Sequence, residues 1–83
     1  MTILLTFATS HAALAAERDL LEAGLAVELI PVPRQIHSDC GFALLAEAPL
    51  ERLRACAAQN LWRVAESQAS PTSRKVKTYE RIP

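Results

Sequence analysis

The run Gly41-Phe42-Ala43-Leu44-Leu45-Ala46 decides the fold of this 83-residue chain. By periodicity alone, a short apolar run reads equally as a buried strand or as a piece of helix. Gly41 bounds it on one side and Pro49 follows on the other. Phe42 and Leu44 share a face under the two-residue period of a strand. These features predict a third strand here. Were residues 38–48 helical instead, the chain would reduce to a three-stranded α/β layer.

Upstream, Thr2-Ile3-Leu4-Leu5-Thr6-Phe7 is apolar and partly β-branched, which predicts a buried first strand. Thr9 or Ser10 then offers a hydroxyl N-cap to a helix over about 11–23. Leu14, Leu20 and Leu21, with small Ala13 and Ala16, form its expected apolar side. Glu17, Arg18 and Glu22 face water. Gly24 is the expected left-handed stop just past the helix. Ala26-Val27-Glu28-Leu29-Ile30 predicts a second strand, ended by Pro31 and Pro33, which cannot donate to a ladder.

Downstream, Pro49 opens a second helix whose apolar side is Leu50, Leu53, Cys56 or Ala57, and Leu61, with Asn60 as its C-cap. Trp62-Arg63-Val64-Ala65-Glu66 alternates and predicts a fourth strand. From Ser67 onward the pattern dissolves into Ser, Pro, Thr and basic residues. The expected organisation is one domain over 1–68 and a flexible basic tail over 69–83. The order β-α-β-β-α-β is that of a ferredoxin-like, two-layer α+β sandwich.

Apolar residues are 51% of the chain, which excludes disorder throughout. The net charge of zero gives no whole-molecule pull towards nucleic acid or membrane. It hides an asymmetry. Residues 1–70 hold five Arg against eight acids, a charge of −3, and residues 71–83 hold four cations against Glu80, a charge of +3. The tail carries one aromatic, Tyr79, and reads as a solvated terminus before it reads as an RNA contact. The first sixteen residues lack a positive n-region and are interrupted by Thr6, Thr9, Ser10 and His11, which argues against a signal peptide. No run reaches the ~20 apolar residues of a membrane span. Two cysteines make no disulfide framework, so the expected setting is the reducing cytoplasm with both thiols free.

Cys40 is the residue with the most chemistry. It ends the run Pro31-Val32-Pro33-Arg34-Gln35-Ile36-His37-Ser38-Asp39-Cys40, and Gly41 follows. In the expected topology the exit of the first strand, the helix start at Thr9, Ser10 and His11, and the entry of the third strand meet at one end of the sheet. Unpaired N–H groups and partial positive charge at a helix start stabilise a thiolate. Arg34, and His11 or His37 when protonated, add positive charge. Ser38 and Asp39 flank the sulfur, Asp39 opposing a thiolate unless it caps the loop. Gly41 leaves room for a transferred group. A small anion would suit the same N–H donors. The plainer reading of a lone Cys is a small core hydrophobe. For Cys56 the plainer reading is preferred. His11, His37, Asp39 and Cys40 lack the paired spacing of a metal site, so neither metal nor cofactor is expected.

Three blocks together resemble a known family. They are Phe7-Ala8-Thr9-Ser10-His11-Ala12-Ala13-Leu14, Leu29-Ile30-Pro31-Val32-Pro33-Arg34 and Ser38-Asp39-Cys40-Gly41-Phe42-Ala43-Leu44. The chain resembles the selenium/sulfur carrier-like family of small bacterial proteins over residues from about 3 to 66. The resemblance implies carriage of reduced sulfur or selenium on Cys40, between a donor such as a cysteine desulfurase and an acceptor protein. His37 and Leu45 depart from the family pattern, where serine and a basic residue are common. Two other classes compete with a carrier. One is a regulatory or scaffolding module binding an anionic metabolite or partner through residues 31–41. The other is a thiol enzyme, disfavoured because no resolving cysteine is evident. An exposed edge strand leaves homodimerisation open.

Overall fold

The computed structural model describes residues 2–38, 40–56, 58–68 and 75–83. The elements are β1 (Thr2–Thr6), α1 (Ser10–Glu22), β2 (Ala26–Pro31), β3 (Phe42–Glu47), α2 (Leu50–Arg54), β4 (Asn60–Gln68) and β5 (Lys75–Ile82). Every ladder is antiparallel, in the order β2-β3-β1-β4-β5. The protein is therefore α+β, with a five-stranded sheet and two helices. The run that opened the sequence reading is a strand: Thr6 pairs with Ala43 and Thr2 with Glu47.

β1 lies at the centre of the sheet and is buried on both faces, with Ile3, Leu4 and Leu5 fully covered. Alternation sorts the two faces. Ile3, Leu5, Leu44 and Ala46 join Ala13, Ala16, Leu20 and Leu53 in one core beneath the helices. Leu4 and Ala43 form a second, smaller core with Ile36 on the helix-free face. There the indole N–H of Trp62 donates to the Thr6 hydroxyl at 3.1 Å. That contact satisfies Thr6, the one buried polar side chain among the described residues.

α1 is closed at both ends by its own sequence. Thr9, in extended backbone, accepts from the Ala12 N–H at 3.1 Å. Gly24 follows the helix at φ 82°, where a Cβ is strained. Its N–H reaches the Leu21 carbonyl and that of Leu25 reaches Leu20, the paired bonds of a Schellman stop. The expected apolar side is corrected. Leu14 and Leu21 are about half exposed, and the packed stripe is Ala13, Ala16 and Leu20. Alanines let the helix lie close to the sheet, and Leu14 and Leu21 fall about a quarter-turn or more around from that stripe.

Two further expectations are corrected. α2 has five residues, with Pro49 as its N-cap. It stops early because the chain is drawn back to the sheet, where the Gln59 N–H donates to the Thr6 carbonyl at 2.7 Å. Asn60 and Leu61 therefore belong to β4, pairing with Thr6 and Leu5, rather than capping and facing a helix. Ala57 lies outside the described residues. The basic tail is the larger correction. Residues 75–82 form β5, in register with β4 from Leu61↔Ile82 to Gln68↔Lys75. The fifth strand covers the edge that β4 would otherwise leave open. Residues 69–74, including Arg74, lie outside the described residues.

Candidate functional site

Residues 32–41 connect β2 to β3 and turn around one end of the sheet. The Val32 N–H donates to the Gly41 carbonyl at 3.1 Å, closing the base of the loop. The Ile36 N–H donates to the Pro33 carbonyl at 3.0 Å, making a tight turn at its tip. Ile36 is buried on the helix-free face, while Cys40 has joined the core under the helices. The loop thus clasps the end of the sheet with one apolar side chain on each face.

Cys40 is 4% exposed, so the thiol lies within the core rather than open on the surface. Its position is set by a short relay. The Ser38 hydroxyl donates to the Phe7 carbonyl at 3.4 Å, and the Cys40 N–H donates to the Ser38 Oγ at 3.3 Å. Phe7 is itself fully buried at the exit of β1. The Phe42 N–H then donates to the Cys40 Sγ at 3.4 Å. A backbone N–H held on the sulfur is a fixed hydrogen-bond donor, of the kind that stabilises charge developing on an acceptor atom.

The other predicted residues divide into two groups. Ser38 and Gly41 are brought to the thiol. A Cβ built on Gly41 would meet nothing within 4 Å, so open space adjoins the sulfur's backbone. Gly41 does not take the left-handed conformation; Gly24 alone does so among the described residues. Thr9 and Ser10 start α1 just beyond Phe7, and the Thr9 hydroxyl is occupied as the helix cap. His11 is exposed and lines a shallow groove of about 210 Å³ with Leu14, Ala15 and Arg18. Arg34 and His37 are exposed on the loop. Asp39 lies outside the described residues.

Ile36 was missed from the sequence as a site-forming residue. The available signal was its isolation: it is the single large aliphatic side chain between Val32 and Phe42. Gln35 was also missed. Its amide Nε2 donates to the Lys77 carbonyl of β5 at 3.4 Å, a contact no local pattern announces.

Cys56 is half-buried and its thiol is free, as is that of Cys40. Burial and the Asp19 carboxylate push its pKa above the ordinary 9.0, with Arg52 acting against them. It borders a groove of about 360 Å³ between α1 and the end of α2, beside Ala12, Ala16 and Asp19. It also borders a second groove, of about 410 Å³, with Arg54, Asn60, Leu61 and Arg81; Cys40 lines neither. Among the described residues no three His, Cys, Asp or Glu side chains are grouped to hold a metal ion. No helix among them is long and apolar enough to cross a membrane.

Residues 2–66 match the family model described as "Putative Se/S carrier protein-like". No curated protein and no solved structure matches the chain. The match spans β1 to most of β4 and includes both cysteines, whereas β5 lies beyond it. The chain belongs to this Se/S carrier-like family.

Proposed function

We propose that this family member carries sulfur or selenium on Cys40, receiving it from a donor protein and passing it to an acceptor. The observation that supports Cys40 is the Phe42 N–H held on its sulfur, inside the family-matched region. Cys56 is the poorer candidate, because its raised pKa disfavours the thiolate that sulfur exchange needs. The β2-β3-β1-β4 order supports reading the first four strands as a ferredoxin-like unit. A reducing, cytoplasmic setting suits two free thiols.

The exchange is redox-neutral. The Cys40 thiolate attacks the terminal sulfur of a donor persulfide, R–S–SH. A Cys40 S–S bond forms, the donor's S–S bond breaks, and R–S⁻ leaves with the electron pair and takes up the thiol proton. A donor R–S–SeH delivers selenium by the same steps. An acceptor thiolate then attacks the terminal sulfur or selenium carried on Cys40, its bond to Cys40 Sγ breaks, and the Cys40 thiolate leaves with the electron pair. Because Cys40 is buried at rest, each exchange requires the loop over 32–41 to open.

Incubation with a cysteine desulfurase and free cysteine, followed by intact-mass measurement, tests this reading. Wild type and Cys56→Ser should each gain one sulfur atom, and Cys40→Ser should gain none. Unlabelled wild type beside a labelled control acceptor would sink the carrier reading. The burial of Cys40 favours a second reading, in which the thiol is core and the loop binds an anionic metabolite or partner. On that reading Cys40→Ser keeps full activity in a cell lacking the native gene.

A further inference from the structure

The closed loop has few attachments of its own. Between Val32 and Ser38, Ile36 is the one buried side chain. The Val32–Gly41 and Ile36–Pro33 bonds lie within the loop or at its base and tie it to nothing beyond. What Ile36 packs into is therefore decisive. Its core on the helix-free face includes Leu4 and Ala43, with Ile30, Val32 and Leu45 of the β2–β3 side, Trp62 and Val64 of β4, and Tyr79 of β5 packed against it. The neighbouring Gln35 donates to the backbone of Lys77, two residues before Tyr79 on the same strand. Consecutive loop residues thus meet β5 at 77–79, one by a hydrogen bond and one through a shared apolar core.

β5 is also the part of the described fold beyond the family match, which ends at residue 66. Its attachment is extensive nonetheless: all eight of its residues are in register with β4. We propose that β5 is a clasp that holds the Cys40 loop closed, with Gln35 and Tyr79 as its positioning residues. The family-matched body supplies the thiol, and the strand beyond the match governs access to it. Displacing β5 from β4 withdraws Tyr79 from the Ile36 core and removes the Lys77 carbonyl from Gln35. The loop then loses its grip on the helix-free face, and the Cys40 end can lift from Phe7. The functional consequence, gated exchange, rests on the carrier reading; the control of access does not.

The test is the rate of Cys40 alkylation by iodoacetamide in the full chain, read by peptide mass so that Cys56 is scored separately. Gln35→Ala should accelerate it about fivefold, the equivalent of one net hydrogen bond of about 1 kcal/mol. Tyr79→Ala should accelerate it further, because it opens the core around Ile36. Glu80→Ala, exposed on β5 and in register with Arg63, should leave the rate unchanged. Wild-type rates in both Gln35→Ala and Tyr79→Ala would overturn the clasp. Equal acceleration in Glu80→Ala would overturn it too, by showing only general loosening. If Tyr79→Ala fails to fold by circular dichroism, the exposed Gln35→Ala decides alone. Sulfur acceptance, measured separately by intact mass, keeps the two claims apart. Faster alkylation without sulfur uptake retains the clasp and removes the carrier; uptake with unaltered alkylation does the reverse.

Discussion

Ile36→Ala is the perturbation that most directly probes how Cys40 is kept covered. The substitution removes three carbons from a side chain that is 6% exposed. At about 0.8 kcal/mol per buried carbon, the loss is about 2.4 kcal/mol. That lies near the low end of the roughly 2–5 kcal/mol for such truncations, as suits a loop able to settle into the space. If the loop opens as a unit, its opening free energy falls by this amount. The open population, and with it Cys40 alkylation when closing is fast, then rises about 50-fold. The assay is site-resolved alkylation at several urea concentrations below the unfolding midpoint. Local opening gives a rate almost independent of urea. Global unfolding gives a slope of about 1–3 kcal/mol/M. A rate within about twofold of wild type, in a variant that remains folded, would refute Ile36 as the anchor. A full unfolding slope in wild type would refute loop opening as the route to the thiol.

Other outcomes follow from the same geometry. Thr9→Ala leaves the Ala12 N–H without its 3.1 Å acceptor and should cost about 1 kcal/mol, or about 4–8 °C in Tm by thermal melt. Gly24→Ala places a Cβ at φ 82° with no neighbour within 4 Å, so the cost is backbone strain of roughly 1–2 kcal/mol, measurable in urea. The pKa of Cys56 is raised in the folded protein, so the native state holds its proton longer than the unfolded chain. The resulting stability is complete below the ordinary pKa of 9.0 and declines as pH rises from there through the folded value. Cys56→Ser should flatten that alkaline decline in urea titrations; an unchanged slope would place its cause elsewhere.

The residues differ in how openly they announced these arrangements. The strand at Phe42–Glu47 was legible because Gly41 and Pro49 leave room for little else. The end of α1 was legible because one glycine there carries the required backbone angle. Leu14 and Leu21 mislead because hydrophobicity alone does not decide which face packs; close approach through Ala13 and Ala16 does. The sequence favours a longer α2 because Leu61 fits a helical period as well as a strand, and only the β1 edge breaks the tie. β5 was obscured by charge. Lys75, Lys77 and Arg81 alternate with Val76, Thr78 and Ile82, an acceptable strand once a neighbouring edge needs covering. The position of Cys40 in the sequence was a sound guide to the end of the sheet on which it lies. Its depth was not legible, because burial there depends on the Ser38–Phe7 contact across 31 residues.

Burial and carriage are compatible only if opening the loop costs much less than unfolding the protein. The contacts that hold it can be weighed. Ile36 contributes about 2.4 kcal/mol, and the Ser38–Phe7 and Gln35–Lys77 bonds about 1 kcal/mol each. These contacts sum to about 4.4 kcal/mol before the entropy of ordering the loop is subtracted, so opening it costs less than that sum. A domain of this length is typically held by roughly 4–12 kcal/mol. The loop accordingly belongs to the low-stability end of the structure, where elements that must move for function are found. Two of the contacts that hold the loop come from β5: the Lys77 carbonyl, already within that sum, and the packing of Tyr79 against the core that Ile36 enters. A chain lacking β5 would carry the same cysteine with the balance tipped towards exposure, and the fifth strand is what tips it back.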